Sequence, residues 1–303
     1  MRGPHNIFRL IRTGATLERT GAMNVILDAY NAPWGVRFGA KVLGWPFQWL
    51  GYKGDTTMPP ATRALTALGP AYIKFGQILS TRPDVVGEEL AVQMRVLQDK
   101  LPPFPTADAK QMIEAELEQP LEALFSEFSE PVAAASIAQV HRGKLISDGS
   151  NVAVKVLRPG IEKAFRRDID AFYFAARMIE TLAPSARRLR PLDVIAHFEG
   201  VVMGELDLRL ESSAAGEFAA NTEADLGFQL PKINWNLSGK NVMTMDWAEG
   251  ISAGDNAALD AAGHDRRKIG ERILQLFLSH ALRDGFFHAD LHQGNIKVAA
   301  NGD

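Results

Sequence analysis

The sequence contains no cysteine among its 303 residues. This absence excludes disulfide bonds, thiolate zinc sites and a cysteine nucleophile together, and it suits a reducing compartment. No run of 18 or more apolar residues occurs, so we expect no helix of this chain to span a bilayer. Because the net charge is only −3 at pH 7, the chain has no general attraction to nucleic acid, and we expect no nucleic-acid partner. The composition, 46% hydrophobic and 23% charged, is that of an ordinary globular protein.

The first 20 residues also lack the pattern of a cleavable signal peptide, because arginines interrupt the apolar residues. The charged residues of this stretch are Arg2, Arg9, Arg12 and Arg19, against Glu18 alone. Two interpretations stay open: a basic amphipathic helix at an anionic membrane surface, or an ordinary N-terminal surface helix. The aromatic segment VLGWPFQWLGY, residues 42–52, is either core or an interfacial contact.

Helical periodicity dominates the first third of the sequence. Residues 1–50 are predicted to be helical, and the segment GYKGDTTMPP that follows them is predicted to be a loop. Residues 61–80 form a helix with a break at Gly69-Pro70, and helix then continues until Pro102 halts it. A further helix is expected from Thr106, acting as its N-cap, to Glu118.

Alternating strand patterns appear after residue 131. Residues 136–145 and 151–157 are predicted to form a hairpin around an Asp-Gly turn, and residues 231–247 a second hairpin that turns at Ser238-Gly239. Between the hairpins we expect two helices, and after them a strong amphipathic helix that ends at Gly285. The residues predicted to face inward are Phe165, Ile169, Phe172, Ala176 and Ile179 on the first helix, and Ile195, Phe198 and Val202 on the second, which starts near Asp193. This order predicts an α+β fold with a small antiparallel sheet.

Lys155 is the only charged residue in the β-branched strand 151–157. Taken alone, it is either an edge lysine in solvent or a lysine that grips phosphate oxygens while a carboxylate holds it. In the second interpretation, the loop VAAASIAQV before the hairpin folds over the phosphates of a nucleotide. Where a protein kinase has glycines, this loop has Ala133, Ala134 and Ala135, followed by Ser136. Since alanine does not readily adopt positive φ, the loop is expected to be stiffer than a glycine-rich one.

The segment HADLHQGN near the end of the chain places Asp290 and Asn295 at the spacing of a kinase catalytic loop. The aspartate can accept a hydroxyl proton or orient a nucleophile, and the amide oxygen of the asparagine can bind Mg²⁺. A metal hydrolase site from His288, Asp290 and His292 is a competing interpretation, but no further carboxylate and histidine cluster completes it. A solvated loop is the third interpretation, and the Lys155 hairpin upstream weighs against it.

These segments together resemble the UbiB / aarF-domain-containing atypical kinase family, from about residue 60 to the end. The matching stretches are AYIKFGQILSTRPD, AAAS, VAVKVLRPG, ELD and HADLHQGN. The resemblance implies an atypical protein kinase-like fold, with ATP or ADP and Mg²⁺ as cofactors. It divides the chain into a helical extension (1–130), a kinase-like N-lobe with a helical insertion (131–248) and the start of a C-lobe (249–303).

The resemblance also implies residue roles. Lys74 to Gln77 match the family's KxGQ motif and Glu205 to Asp207 its ExD motif, and Lys74, Gln77, Glu205 and Asp207 are expected to gate the site. Because the helix around Lys74 is apolar nearly all round, we expect it to be buried, with an ExD carboxylate as the partner of the lysine. Glu205 is further predicted to hold Lys155, in preference to an exposed pair with Arg209. The implied nucleotide contacts are Ala133, Ala134, Ala135, Ser136, Lys155, Glu205 and the interlobe linker of Met245, Asp246, Trp247 and Ala248.

Catalysis is assigned by the resemblance to Lys155, Asp290 and Asn295, with Asn295 as the metal ligand. The family continues with an Asp-Phe-Gly segment that this sequence lacks, and residues 295–303 resemble a strand without a partner. We therefore expect a truncated C-lobe, little or no turnover, and an exposed apolar face on the helix 266–283.

The function expected on these grounds is that of a UbiB-like atypical kinase or ATPase supporting ubiquinone biosynthesis. Its expected location is the cytoplasmic side of the bacterial inner membrane, or the cytoplasm for a truncated chain. The expected partners are a nucleotide, a lipid or quinone precursor, ubiquinone-biosynthesis proteins and a peripheral membrane contact. Two alternatives stay open: a non-catalytic lipid- or partner-binding module, and a small-molecule phosphotransferase, against which the KxGQ segment argues.

Overall fold

The computed structural model describes residues 5–97, 103–182, 184–289 and 291–302. The chain divides into two compact units, each assembled from separate stretches of sequence. The first unit comprises residues 1–103, 134–138 and 158–206, and the second comprises residues 104–133, 139–157 and 207–303. The three segments expected from the resemblance are continuous in sequence and stay a prediction.

The elements follow one another in a fixed order. Helices come first: α1 (His5–Thr20), α2 (Ala22–Ala29), α3 (Trp34–Gly44), a 3₁₀ helix (Trp45–Leu50), α4 (Pro60–Leu68), α5 (Pro70–Ser80), α6 (Pro83–Val86), α7 (Glu88–Arg95), α8 (Thr106–Leu117) and α9 (Leu121–Leu124). Next are β1 (Phe125–Ala134), β2 (Ala138–Leu145), β3 (Asn151–Leu157), α10 (Ile161–Leu182), a 3₁₀ segment (Pro184–Leu189), α11 (Pro191–Glu205) and α12 (Leu208–Asn221). The last are a 3₁₀ turn (Trp235–Leu237), β4 (Val242–Asp246), β5 (Ile251–Ser252), α13 (Asn256–Ala261), α14 (Arg266–Ser279), a π-helical turn (His280–Asp284), a 3₁₀ turn (Gln293–Asn295) and β6 (Lys297–Val298).

The first unit is helical, and its helix boundaries follow glycine and proline. The predicted break at Gly69-Pro70 is confirmed: Gly69 has φ 112° and separates α4 from α5. The single helix predicted after residue 80 is instead two helices, because Gly87 at φ 84° interrupts it between α6 and α7. The predicted stop at Pro102 lies outside the described residues.

Helix α5 buries most of its surface in the first unit, as its apolar pattern predicts. Ile73 and Gly76 are buried, and a Cβ added at Gly76 would lie 2.5 Å from the Cδ1 atoms of both Leu65 and Leu97. The glycine therefore lets α5 approach its neighbours closely. The cluster around it consists of Ala61, Ile73, Val86, Leu90, Ala91, Met94 and Leu97.

The long helix α10 and helix α11 complete the first unit. The predicted inward face of α11 is confirmed, since Ile195, Phe198 and Val202 are buried. On α10 the prediction holds for Phe165, Ile169, Phe172 and Ala176, but it is wrong for Ile179, which is 47% exposed near the end of the helix. Helix α1 packs on this unit, with Arg9 Nη1 2.6 Å from Asp168 Oδ1 of α10.

The second unit contains the main sheet, whose strand order is β1-β2-β3-β4. The predicted hairpin of β2 and β3 is confirmed, and β4 pairs antiparallel with β3, with Lys155 opposite Met243. Val152, Val154 and Val156 alternate toward a core that also contains Phe104, Ile113 and Phe125. The predicted α+β class with a small antiparallel sheet is confirmed.

The predicted second hairpin, residues 231–247, is wrong. Residues 235–237 form a 3₁₀ turn, and the first arm is reduced to a single bridge between Ile233 and Met245. The second arm is β4, which takes β3 as its partner instead. The N-cap prediction for α8 is also wrong: Pro105 precedes the helix, and the Thr106 hydroxyl donates to the Glu130 carboxylate rather than capping.

The end of the chain differs from expectation in one respect. The predicted strand after Asn295 does have a partner, because Ile251 of β5 pairs antiparallel with Val298 of β6. The predicted exposed apolar face of α14 and the turn after it is confirmed, with Leu274 and Leu282 both exposed. Helix α14 ends in a π-helical turn before Gly285 at φ 63°, the predicted terminator. Within the described ranges, no helix is both long and apolar enough to cross a membrane.

Candidate functional site

Lys155 of the central strand β3 is held by a carboxylate of the second unit. Its Nζ donates to both Oε1 and Oε2 of Glu211, each at 2.7 Å. The side chains are 24% and 46% exposed, so the pair lies at an accessible surface of the sheet. An ammonium held this way on a strand is the arrangement that positions a lysine against nucleotide phosphates in kinases.

Helix α12 carries Glu211 in its first turn, and its start is fixed locally. Asp207 is the N-cap and accepts from the Arg209 backbone N–H at 3.1 Å. Leu208 is fully buried, and its backbone N–H donates to Lys240 O at 2.9 Å. Because the cap and Leu208 anchor the first turn, Glu211 is held three residues further along the helix.

The prediction that Glu205 holds Lys155 is wrong. Glu205 is the last residue of α11 in the first unit, and its Oε2 lies 2.8 Å from Lys74 Nζ. The predicted pairing of Lys74 with a carboxylate of the ExD motif is therefore confirmed. The side chains are 19% and 34% exposed, which meets the requirement that a largely buried lysine has a partner.

An aromatic cluster places the helix that carries Lys74. The Phe75 ring lies 5.2 Å from that of Phe172 on α10 and 5.1 Å from that of Phe198 on α11. These contacts join the three helices, so Lys74 on α5 meets Glu205 at the end of α11. Gln77, one turn after Lys74, donates from Nε2 to Leu97 O at 3.3 Å.

Asp207, the other acid of the ExD motif, is occupied locally in the second unit. The Arg209 guanidinium donates to both of its carboxylate oxygens, at 2.8 and 2.6 Å. Hydrogen bonds from the Arg209 side chain, reinforced by its backbone N–H, lower the pKa of Asp207 below the ordinary value. The predicted alternative, an exposed pair of Glu205 with Arg209, is therefore not formed, because Arg209 binds Asp207.

The alanine segment is only partly a loop. Ala133 and Ala134 are the last residues of β1, and the turn to β2 is closed by the Ala135 backbone N–H, which donates to Ala138 O at 2.8 Å. Ser136 within this turn is buried. The turn is thus short and tied by its own backbone, as the absence of glycine predicts.

The predicted linker, residues 245–248, is also partly strand. Met245 lies opposite Ala153 and Asp246 opposite Val152 in the β3–β4 ladder. The Trp247 backbone N–H continues the pairing by donating to Asn151 O at 3.1 Å. Ala248 lies exposed just beyond the strand.

The predicted catalytic loop is described only in part, because Asp290 lies outside the described residues. Asn295 ends an exposed 3₁₀ turn, and its backbone N–H donates to His292 O at 2.9 Å. The His292 ring is used as a cap, since its Nδ1 accepts from the Gly294 N–H at 3.1 Å. The pairing of β5 with β6 anchors this segment.

The described part of the chain holds no group of three or more histidine, aspartate or glutamate side chains that could bind a metal ion. His288 and His292 therefore do not form the core of a hydrolase site among these residues. One amide at Asn295 provides a single oxygen donor, which is too few for Mg²⁺. Among the described residues the donor set does not fit a complete magnesium site.

Sequence reasoning missed Glu211. The order of strand lysine and helix carboxylate was expected, but the sequence offers several acids near the start of α12. The available signal was the N-cap: Asp207 starts a helix, so the acid in the first turn of that helix is the one held rigidly.

A small antiparallel sheet whose strand lysine is clamped by a helix carboxylate defines a protein of the kinase-like class. The ABC1 atypical kinase-like domain matches residues 96–303. The chain belongs to the ABC1 atypical kinase-like family, which confirms the family resemblance of the sequence.

Curated relatives carry the name "Probable protein kinase UbiB". The protein of that name from Marinobacter nauticus is 42% identical over 236 residues, or 78% of this chain and 43% of that protein. The one from Shewanella baltica is 38% identical over 299 residues, covering 98% of this chain and 53% of that protein. A third, from Pseudomonas paraeruginosa, is 38% identical over 294 residues, covering 96% and 55%. The chain spans about half the length of the curated relatives it matches.

Proposed function

We propose that this chain binds ATP or ADP as part of a UbiB-like atypical kinase or ATPase. The observation that carries the proposal is the bidentate hold of Glu211 on Lys155. The ammonium is half-accessible and oriented, so it can donate to phosphate oxygens while Glu211 keeps it in place. Family membership supports the same conclusion.

The remaining nucleotide contacts are proposed from the same resemblance. The turn that contains Ala135 and Ser136 would lie against the phosphates, and the backbone around Trp247 and Ala248 would contact adenine. Asp290 would accept a proton or orient a nucleophile. Asn295 would contribute one ligand to Mg²⁺, together with groups beyond those described. Lys74, Gln77, Glu205 and Asp207 are proposed to gate access to the site.

The wider role we propose is support of ubiquinone biosynthesis at the cytoplasmic side of the bacterial inner membrane. The name of the relatives supports the pathway, and the partners would be a quinone precursor or lipid and other ubiquinone-biosynthesis proteins. We expect the chain as given to have little or no turnover. Lipid-stimulated ATP hydrolysis at a rate well above that of the Lys155→Ala variant would contradict this expectation.

Nucleotide binding is tested by thermal unfolding with and without Mg²⁺ and ATP. We expect ATP to raise the melting temperature of the wild type, because a ligand that binds only the native state stabilises it. Lys155→Ala should abolish this shift. Lys163→Ala, an exposed lysine on α10, is the matched control and should retain it. An equal shift in the wild type and in Lys155→Ala would favour a non-catalytic lipid- or partner-binding module instead.

A further inference from the structure

An exposed aromatic surface occupies residues 30–52 of the first unit. Trp34 on α3 is 77% exposed, and Trp49 on the 3₁₀ helix that follows is 75% exposed. The other large exposed side chains of this stretch are Tyr30, Val36, Phe38, Val42, Phe47 and Tyr52. We call this set the aromatic surface. Single exposed apolar residues are ordinary, but a concentration of this size on one short segment marks an interaction site.

The aromatic surface is held in a fixed position by polar contacts. The half-buried Arg37 donates from Nε to Ala32 O at 2.9 Å and from Nη2 to Leu27 O at 3.2 Å, which ties α3 to the end of α2. The Trp34 and Phe38 rings stack with their centroids 5.4 Å apart, so they form one continuous apolar area. The exposed rings therefore belong to a folded element and not to a loose end.

The charges around the aromatic surface are of one sign. Between Asp28 and Asp55 the sequence contains no acidic residue, although the whole chain has a net charge of −3. Lys41 and Lys53 in this interval are exposed. The local excess of positive charge attracts an anionic surface.

Two arginines of α1 border the same area. Arg19 lines an open cavity of about 550 Å³ together with Pro46, Gln48 and Trp49, and its Nη1 donates to Gly51 O at 2.7 Å. The Arg12 guanidinium lies 5.6 Å from the centre of the Tyr52 ring. Guanidinium groups beside tryptophan and tyrosine rings provide both phosphate donors and interfacial aromatic contacts.

We propose that the aromatic surface docks on an anionic phospholipid bilayer. Trp34 and Trp49 lie at the level of the headgroups, and Lys41 and Lys53 contact lipid phosphates. Tryptophan and tyrosine prefer this interface because their rings are apolar and their edges polar. Exposed lysines among the rings favour a lipid surface over a protein partner, since the centres of protein interfaces are depleted of lysine. This inference does not depend on nucleotide binding, because every residue that carries it belongs to the first unit.

Vesicle flotation tests the proposal, with vesicles of phosphatidylcholine alone and of phosphatidylcholine mixed with phosphatidylglycerol. We expect the protein to float with the anionic vesicles. Trp34→Ala and Trp49→Ala should each reduce the partition coefficient about tenfold, from lost apolar burial. Lys41→Glu should reduce it by about fivefold or more on anionic vesicles, and less on neutral ones. The matched controls, Trp235→Ala and Lys268→Glu in the second unit, should bind like the wild type.

Fluorescence provides a second measurement that does not depend on side-chain truncation. Phosphatidylglycerol with brominated acyl chains should quench the wild type, and quenching should be lost in Trp34→Phe/Trp49→Phe but kept in Trp235→Phe/Trp247→Phe. Failure of the wild type to float, or quenching that survives in Trp34→Phe/Trp49→Phe, would overturn the proposal. Self-association of the wild type that Trp34→Ala abolishes, without vesicle binding, would instead identify the surface as a contact between copies. ATP-dependent stabilisation measured on the same variants separates this result from a failure of the nucleotide site.

Discussion

Lys74 Nζ lies 2.8 Å from Glu205 Oε2, so the carboxylate expected to hold the strand lysine has a different partner. Lys155 is bound by Glu211, six residues further along the sequence. Each pair lies within one compact unit of the chain. The two glutamates therefore have separate effects that substitutions can distinguish.

Nucleotide affinity should depend on Glu211 much more than on Glu205. Glu211→Gln keeps the size of the side chain but removes the charge that orients Lys155, and we expect ATP to bind about tenfold more weakly. Glu205→Gln should have a smaller effect. Isothermal titration calorimetry with ATP measures both.

Glu217→Gln is the matched control for that experiment, since Glu217 is an exposed acid on the same helix α12. It should bind ATP like the wild type. Equal losses of affinity in Glu205→Gln and Glu211→Gln would show that the ion pair seen at Lys155 is not what positions the lysine for ATP.

The pair of Lys74 and Glu205 should contribute modestly to stability. Its side chains retain 19% and 34% exposure, so solvent screens the attraction in part, and we expect a coupling free energy of about 0.5–1 kcal/mol. A double-mutant cycle of Lys74→Met and Glu205→Gln, measured by urea unfolding, gives this value. The exposed pair of Glu162 and Arg166 on α10 is the benchmark and should couple by only about 0.3–0.5 kcal/mol. A coupling no larger than that of the benchmark would contradict the expectation.

The sequence predicts the local features of this fold better than its long-range pairings. Glycine and proline act within a few residues, so the break at Gly69-Pro70 and the end at Gly285 are predicted correctly. The partner of β4 is decided elsewhere. The turn at residues 235–237 takes the backbone out of strand geometry, and the Ser238 Oγ accepts from the Thr244 N–H at 2.9 Å, so β4 pairs with β3.

The same distinction applies to the candidate site. Motif order identifies Lys74, Glu205 and Lys155, because these residues stand in recognisable local patterns. Spacing does not decide which acid meets which lysine. That depends on the N-cap at Asp207, which ends one helix and starts the next between Glu205 and Glu211. The partner of each lysine therefore follows from tertiary packing and not from the motif alone.

Gly76, the glycine of the KxGQ segment, should be required for packing. Alanine has a higher helix propensity, but its Cβ would lie 2.5 Å from methyl groups of Leu65 and Leu97 in the core. We expect Gly76→Ala to destabilise the protein by about 1–2 kcal/mol, as overpacking does. Urea unfolding followed by circular dichroism measures the change.

Gly200 provides the control for that substitution. It lies in helix α11, and a Cβ added there meets nothing within 4 Å. Gly200→Ala should therefore leave stability unchanged or raise it by up to about 1 kcal/mol. If both alanine variants behave alike, close packing is not the reason for the glycine at position 76.

Acid should weaken the second unit through Asp225. Arg283 donates to its Oδ1 at 2.6 Å and its Oδ2 at 2.9 Å, and His280 Nε2 lies 3.0 Å from Oδ2. The hydrogen bonds from Arg283, with a further one from His280, lower the pKa of Asp225 to about 2. Because the folded-state pKa lies below the unfolded value, the carboxylate stabilises the fold above about pH 4, and this contribution is lost as the pH falls toward 2.

The Asp225→Asn variant tests this directly. The free energy of unfolding of the wild type should fall more steeply between about pH 5 and pH 2.5 than that of Asp225→Asn, because the amide has no proton to gain. Asp260→Asn, which removes an exposed ion pair with Arg266, is the control and should keep the steep dependence. Parallel curves for the wild type and Asp225→Asn would show that the Asp225, His280 and Arg283 contacts do not determine the acid sensitivity of the protein.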